Sequence, residues 1–308
     1  MPSLTEPFPL QRITEIENAP ERFRLLEQIP LTAEGAVWPW QLHPPQGDET
    51  ELLVLDLETT GIDSSKDRII ELGMVKVSYS AMLGRVTAIE EVAGYYEDPG
   101  LSIPPFITRL TGINNEMVRG KALPEAEIAT WLASDPLMVA HNARFDRQFF
   151  ELRFPEHDRL RWACTSAGID WSTLGFESRK LEYLLYRSGW FYGGHRATTD
   201  CLAVAWLLHH TPQAFAQLLE QQALSSFLVR AVGAPFNAKD ELKNRSYRWQ
   251  ANDAQGRKYW WKEVAATEMA EEEAFLDTIY RDSKRRPEIM ALTARTRYKD
   301  LTALSEEG

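Results

Sequence analysis

Two acidic residues, Asp56 and Glu58, end the apolar run Leu52–Leu55 and are the residues of this sequence most suited to chemistry. Four consecutive apolar residues are typical of a buried central strand. The two-residue period of a strand places both carboxylates on one face, where they repel each other unless a cation lies between them. Mg²⁺ and Mn²⁺ prefer carboxylate oxygen, so the pair suggests a metal site. An isolated Asp-x-Glu is more often a turn cap beside a solvated acid, and the interpretation therefore requires further ligands.

Two later clusters could supply those ligands. Asn142 stands where an apolar strand gives way to a helix, as an N-cap would, and Asp146 follows four residues later on the same helix face. Favourable helix-dipole electrostatics would explain Asp146 equally well. Two glycines precede His195, and Asp200 lies in the next helix. A lone histidine before a helix is more often a structural hydrogen-bonding residue than a base.

In this order, the three clusters resemble the three exonuclease motifs of the DnaQ-like superfamily, in its DEDDh group, which includes the bacterial proofreading exonuclease subunit. The resemblance covers about residues 49–212. A histidine rather than a tyrosine in the third motif distinguishes this group from the DEDDy polymerase-domain exonucleases. The matching motifs and supporting segments are Asp56-x-Glu58, Asn142-x-x-x-Asp146, His195-x-Ala197-x-x-Asp200, Thr59-Thr60-Gly61, Leu110-Thr111-Gly112-Ile113 and Leu181-Glu182-x-Leu184.

The resemblance implies a 3′→5′ exonuclease that hydrolyses phosphodiester bonds with two divalent ions, Mg²⁺ or Mn²⁺. By this resemblance, Asp56 bridges both ions and Glu58 and Asp200 complete the first site. Asp146 supports the second site. His195 is then the general base that takes a proton from the attacking water.

The same resemblance implies how the terminal nucleotide is held. Thr59, Thr60 and Gly61 would hold it, and Asn142 belongs to the same substrate-binding set. Two apolar residues, Ile113 and Phe145, would pack against bases, which is a sequence-tolerant contact. For Phe145, packing in the helix core is an equally good interpretation.

The elements that position these residues predict an α/β protein. The resemblance implies an RNase H-like exonuclease fold with a mixed five-stranded sheet flanked by helices. The predicted order of elements fits this fold, because several strands come first and strands then alternate with helices. Hydrophobic patterns predict strands and helices, namely strands at about 51–57, 68–80, 86–96 and 136–140, and helices at about 124–133, 142–153, 178–188 and 197–209.

The predicted organisation has three parts. Residues 1–48 are an N-terminal extension and linker, with a short helix at about 15–28 and a Pro-rich stretch at 39–47. Residues 49–212 are the exonuclease domain, and residues 213–308 are a C-terminal appendage.

Basic and aromatic residues characterise the appendage. Residues 245–249 and 257–262 flank a turn and predict a β-hairpin, followed by an acidic helix at about 268–280. The hairpin could stack bases and bind a single strand. Alternatively, Trp249, Trp260 and Trp261 form a small core, and both interpretations hold if the aromatic residues divide between the two faces.

The net charge of −11 lies within residues 1–212, because residues 213–308 contain 15 Lys/Arg and 15 Asp/Glu. This argues against electrostatic capture of duplex DNA but permits a polyanionic substrate held through metal ions. The sequence has two cysteines, neither in a Cys-x-x-Cys motif, and it shows no signal peptide and no apolar run of about 18 to 20 residues. We therefore expect a cytoplasmic protein without a membrane anchor.

The expected substrate is the 3′ end of single-stranded or frayed DNA, which is cut to nucleoside 5′-monophosphates. The alternatives are an exoribonuclease and, from another class, a catalytically inactive module that binds nucleic-acid ends. A stand-alone DNA-repair or turnover nuclease is favoured over a proofreading subunit, because residues 213–308 identify no segment that binds a DNA polymerase or repair partner. The sequence leaves DNA or RNA preference and oligomeric state open.

Overall fold

The computed structural model describes residues 10–30, 36–253, 255–281 and 283–300. Within them the chain forms a large α/β unit and a smaller C-terminal sheet. The strands are β1 (Glu27–Gln28), β2 (Trp40–Gln41), β3 (Glu49–Thr59), β4 (Ile69–Ser80), β5 (Arg85–Tyr96), β6 (Leu137–Ala140), β7 (Arg161–Cys164), β8 (Trp190–Phe191), β9 (Ser226–Val232), β10 (Arg248–Gln250), β11 (Tyr259–Ala265) and β12 (Glu288–Leu292). The helices are α1 (Ile13–Asn18), α2 (Pro105–Thr111), α3 (Asn115–Val118), α4 (Glu125–Leu132), α5 (Ala143–Arg153), α6 (Leu181–Arg187), α7 (Ala197–His210), α8 (Pro212–Ala223), α9 (Lys239–Asn244) and α10 (Met269–Ile279).

The central sheet has the strand order β2-β5-β4-β3-β6-β7. The β2/β5, β5/β4 and β4/β3 pairs are antiparallel, whereas β3/β6 and β6/β7 are parallel. The predicted mixed α/β fold is confirmed. A sixth strand, β2, extends the predicted five, and its two residues are too few to show a strand pattern in the sequence.

Helices cover both faces of this sheet, which explains why β3 is apolar on both sides. Leu52 and Val54 pack with residues of α6, α7 and α8. Leu53 and Leu55 point to the other face and pack with residues of α4 and α5. By strand alternation, Asp56 and Glu58 therefore belong to the face covered by α7.

The predicted N-terminal helix at 15–28 is wrong in extent. α1 ends at Asn18, a 3₁₀ turn follows, and Glu27–Gln28 instead forms β1, which pairs in parallel with β8. Pro20 and the β-bridge to Trp190 compete with the local helical pattern.

The C-terminal sheet has the order β10-β11-β9-β12 with antiparallel pairing throughout. The predicted hairpin corresponds to β10 and β11, and the predicted acidic helix corresponds to α10. Tyr247, Val229, Val264 and Leu276 form part of a separate small core beneath this sheet. No helix among the described residues is long and apolar enough to cross a membrane.

Candidate active site

Three carboxylates converge at the carboxyl end of β3. Asp56 and Glu58 come from this strand and Asp200 comes from the first turn of α7. One oxygen from each lies within 4.8 Å of the others. All three side chains are half-buried. The arrangement brings together three of the four predicted metal ligands.

Two glycines allow α7 to approach the sheet closely enough for this. A Cβ atom at Gly73 in β4 would overlap the backbone of Ala197 and Thr198. A Cβ atom at Gly94 in β5 would overlap the Thr198 hydroxyl. Gly73 pairs with Asp56 across the β3/β4 ladder, so the helix crosses the sheet directly beside the acidic pair.

The fourth predicted ligand, Asp146, reaches the same sheet end from the opposite layer. It lies in the first turn of α5, and only 2% of the residue is exposed. Its carboxylate accepts a hydrogen bond from the Leu57 amide, between the two acids of β3. Asp146 is therefore close to the cluster without belonging to its compact three-oxygen set.

Burial and mutual repulsion dominate the electrostatics of these acids. Burial, together with the charges of Asp200 and Glu71, raises the pKa of Glu58 to about 8. Burial also raises the pKa of Asp146 to about 8. The pKa values of Asp56 and Asp200 are raised by burial too, and for Asp56 the charge of Asp200 adds to the effect. An all-carboxylate set that repels itself has the chemistry that a hard divalent cation satisfies.

His195 lies in the loop that leads into α7. Its φ of +68° is left-handed, a conformation that few residues other than glycine adopt. The side chain is exposed and close enough to Asp200 for its charge to lower the pKa of that acid. Asp200 secures this loop because its carboxylate accepts hydrogen bonds from the Arg196 amide (3.0 Å) and the Tyr192 hydroxyl (3.0 Å).

Comparison with known families shows which family the chain belongs to. The sequence model of a family described as exonuclease matches residues 53–208, which is just over half of the chain and includes all five residues of the predicted catalytic set. The chain belongs to this exonuclease family. It is thus a member of the DnaQ-like superfamily of 3′→5′ exonucleases, as the sequence motifs predicted.

Individual relatives match this chain over part of its length. A DNA polymerase III PolC-type protein from Thermotoga maritima is 33% identical over 174 residues, 52% of this chain and 12% of the relative. One from Caldanaerobacter subterraneus subsp. tengcongensis is 36% identical over 105 residues, 33% of this chain and 7% of the relative. The chain therefore spans only a small part of the length of these relatives.

Two solved structures match part of this chain. E. coli exonuclease I in complex with a 5cy-dA13 oligonucleotide has a TM-score of 0.46 and 17% identity, and the match covers 70% of this chain and 63% of that one. Exonuclease X in complex with 5′ overhanging duplex DNA has a TM-score of 0.41 and 22% identity. That match covers 55% of this chain and 98% of that one.

The exonuclease site contains residues that the sequence reasoning missed. Glu71 is only 3% exposed. Its carboxylate accepts hydrogen bonds from the Ala197 amide at the start of α7 (2.9 Å) and from two nitrogens of the Arg196 guanidinium. Arg196 also donates to the Tyr96 hydroxyl at 2.6 Å. Glu71 faces Glu58 across the β3/β4 ladder, so it is a fifth acid at this site while it also fixes the start of α7. An acid in the strand adjacent to the Asp-x-Glu pair was the available signal.

The predicted nucleotide-binding residues of the exonuclease differ in how they are placed. The Thr59 hydroxyl donates to the Gly61 carbonyl, and Thr60, 1% exposed, donates to Asp67 at 3.1 Å. Ile113 is completely buried in a small apolar cluster.

The two predicted residues at the start of α5 are more accessible. Asn142 is exposed and occupies the N-cap position, but its side chain forms no cap, so the expected side-chain hydrogen bond is absent. Phe145 is half-buried and its ring centre lies 4.9 Å from that of Phe149. Part of each side chain is therefore free to meet a ligand.

Proposed function

We propose that this exonuclease releases nucleoside 5′-monophosphates from the 3′ ends of single-stranded or frayed DNA. The observation that carries the proposal is the convergence of Asp56, Glu58 and Asp200 within 4.8 Å at the end of the central sheet. An acidic site of this kind repels a phosphodiester, so it can act on one only when cations neutralise it.

The acids of this site suit two divalent ions, Mg²⁺ or Mn²⁺. As the family resemblance implies, Asp56 would hold both ions. Glu58 and Asp200 would complete one site, and Asp146 would support the other. When bound, such ions lower the pKa of an attacking water and stabilise charge on the leaving 3′-oxygen.

The protein itself would move the proton. His195 is exposed beside Asp200 and belongs to a residue type that exchanges protons near neutral pH. In the proposed step His195 takes a proton from the water as its oxygen attacks phosphorus. The bond to the 3′-oxygen breaks, and that oxygen acquires a proton from solvent. The products are a nucleoside 5′-monophosphate and a strand one nucleotide shorter with a free 3′-hydroxyl.

Terminal-nucleotide binding is proposed for the segment that follows the acids. Thr59 ends β3 next to Glu58 and is followed by Thr60 and Gly61, and the backbone of these three residues would contact the sugar and phosphate. Asn142 and Phe145, partly accessible at the start of α5, would contact the adjoining base. Ile113 would support this pocket from beneath, because its side chain is buried.

The test is hydrolysis of 5′-labelled single-stranded DNA by the purified chain with Mg²⁺ or Mn²⁺. The wild type should produce a ladder that shortens from the 3′ end. Asp56→Ala should reduce the rate at least 10³-fold, since it removes the bridging ligand. His195→Ala should reduce it roughly 10²- to 10⁴-fold, the usual contribution of a general base.

The matched control is Asp277→Ala, which removes an exposed acid from α10 and should leave the rate at the wild-type level. Equal hydrolysis by wild type and Asp56→Ala would overturn the mechanism. An RNA oligomer of the same sequence provides the second arm, and faster shortening of RNA would replace DNA as the substrate. Binding without any hydrolysis would identify an inactive end-binding module.

A further inference from the structure

A cavity of about 450 Å³ lies between the start of α5 and the C-terminal sheet. Its lining includes Asn142 just before α5, Arg144 from α5 and Arg179 from the loop before α6, and also Arg248 and Trp261 from the β10/β11 hairpin. We call it the interdomain cleft. Asn142, which lines the cleft, stands four residues before Asp146, about one helical turn away on the same face of α5, so the cleft begins beside the acidic site.

The interdomain cleft is positively charged in a protein whose net charge is −11. Arg144, Arg179 and Arg248 form no ion pair among the residues that the structure describes. The carboxylate of Glu263, which also lines the cleft, already accepts hydrogen bonds from Arg297 (3.1 Å) and from the Ser226 hydroxyl. Three arginines without carboxylate partners favour an anionic ligand.

Strand alternation divides the aromatic residues of the hairpin between two faces. Arg248 pairs with Trp261 across β10 and β11, whereas Trp249 pairs with Trp260 on the opposite face. The guanidinium carbons of Arg144 and Arg248 lie 5.6 Å and 5.5 Å from the centre of the Trp261 ring. Trp261 is half-buried, so part of its indole borders the cleft. The cleft thus combines cations with an aromatic surface.

We propose that the interdomain cleft binds the single strand on the 5′ side of the nucleotide held at the acidic site. Arg144 and Arg248 would bind successive phosphates while Trp261 stacks on a base, the combination that proteins use for single strands without sequence preference. This proposal rests on the proposed function, because it takes the 3′ end to lie at the acidic site.

The direction of the strand beyond the cleft follows from charge. A neighbouring cavity of about 660 Å³ shares Arg179 with the cleft but is also lined by Asp170 and Glu177. These carboxylates would repel a phosphate backbone. Arg179 therefore marks the edge where the positive lining of the cleft gives way to acidic residues, and the strand would leave the cleft away from that edge.

The test measures binding to fluorescein-labelled dT20 and dT3 by anisotropy, with EDTA and in an Asp56→Ala background so that the strand stays intact. Arg248→Ala should weaken dT20 binding about tenfold and reduce the slope of log affinity against log salt by about 0.7, the value for one phosphate contact on a single strand. Trp261→Ala should weaken dT20 binding about tenfold with little change in slope, since stacking carries no charge. Both effects should be smaller on dT3, which offers only two nucleotides beyond the terminal one.

The matched control is Arg281→Ala, which removes an exposed arginine of the C-terminal region that lines a different cavity. It should bind dT20 like the parent. Wild-type-like dT20 binding by Arg248→Ala would overturn the proposal, and this exposed position answers the question even if Trp261→Ala fails to fold.

The two proposals fail separately. Hydrolysis by the wild type in Mg²⁺, together with unchanged dT20 binding by Arg248→Ala, overturns the cleft alone. Weakened dT20 binding without any hydrolysis by the wild type overturns the proposed function and supports the cleft as a binding surface. Tighter binding of U20 than dT20 in the same assay would assign the strand to RNA.

Discussion

At the residue scale, the acidic site makes the metal-free protein sensitive to pH. Glu58 and Asp146 titrate near 8 in the folded chain, against ordinary values of 4.5 and 3.8. Their folded pKa values are raised, so their contribution to stability is complete below about pH 4 and is lost as pH rises towards 8. In EDTA, the melting temperature should therefore fall by several degrees between pH 5 and pH 8. Adding Mg²⁺ or Mn²⁺ should restore it, with a larger gain at pH 8.

A neutral isostere provides the control for this prediction. Asp200→Asn removes one charge from the cluster, so the metal-free variant should melt higher than the wild type at pH 8 and respond less to metal. Melting curves by circular dichroism at both pH values measure this. A wild-type melting temperature that rises from pH 5 to pH 8 in EDTA would contradict the electrostatic account.

The sequence reveals a site residue when the signal for it is local, and it does not when the residue's contacts come from far along the chain. Asp56 and Glu58 were predictable because they end an apolar run and because the Asp146 and Asp200 motifs follow them in the order of a known family. Glu71 interrupts the apolar first half of β4 but was not predicted, because its partners lie far along the chain. Its role arises only when α7 brings Arg196 and the Ala197 amide to it.

At the element scale, the approach of α7 to the sheet sets the position of Asp200. Gly73→Ala places a methyl group against the backbone of Ala197, which cannot move independently of its helix. We expect the free energy of unfolding to fall by about 1–3 kcal/mol, as in overpacked cores. We also expect nuclease activity per folded molecule to fall at least tenfold, because Asp200 moves with the helix.

Gly84→Ala separates these two effects. Gly84 has a φ of +60° in the β4/β5 turn with open space around its Cβ position, so alanine there strains the backbone without displacing α7. Stability should fall by about 1–2 kcal/mol while activity per folded molecule stays at the wild-type level. If Gly73→Ala keeps full activity, close approach of α7 is not what positions the site.

Sequence patterns predicted the elements that are long enough to repeat the hydrophobic period of a strand or a helix. These elements are β3, β4, β5, α5 and α7. β1 and β2 have two residues each and exist because Trp190 and Ile89 offer backbone partners far along the chain. Such pairing is tertiary, and local patterns do not contain it.

At the scale of the whole molecule, the C-terminal segment returns to the helix that carries Asp146. Arg147, with no exposed surface, donates to the carbonyls of Arg295 (2.6 Å) and Arg297 (2.7 Å). Tyr298 is buried in the core of the exonuclease domain. The three-part division predicted from composition does not anticipate these contacts, because 150 residues separate Arg147 from its partners.

This return makes Arg147 a structural link between the two sheets. Arg147→Ala removes an ion pair with Glu151 (2.7 Å) and leaves buried carbonyls without donors, so unfolding free energy should fall by at least about 3 kcal/mol. Arg295→Ala, in the same segment, removes a half-exposed ion pair with Asp135 and should lower the free energy of unfolding by less than about 1 kcal/mol. Urea unfolding of both variants measures the difference. Equal stability of the two variants would show that the C-terminal segment is not anchored through α5.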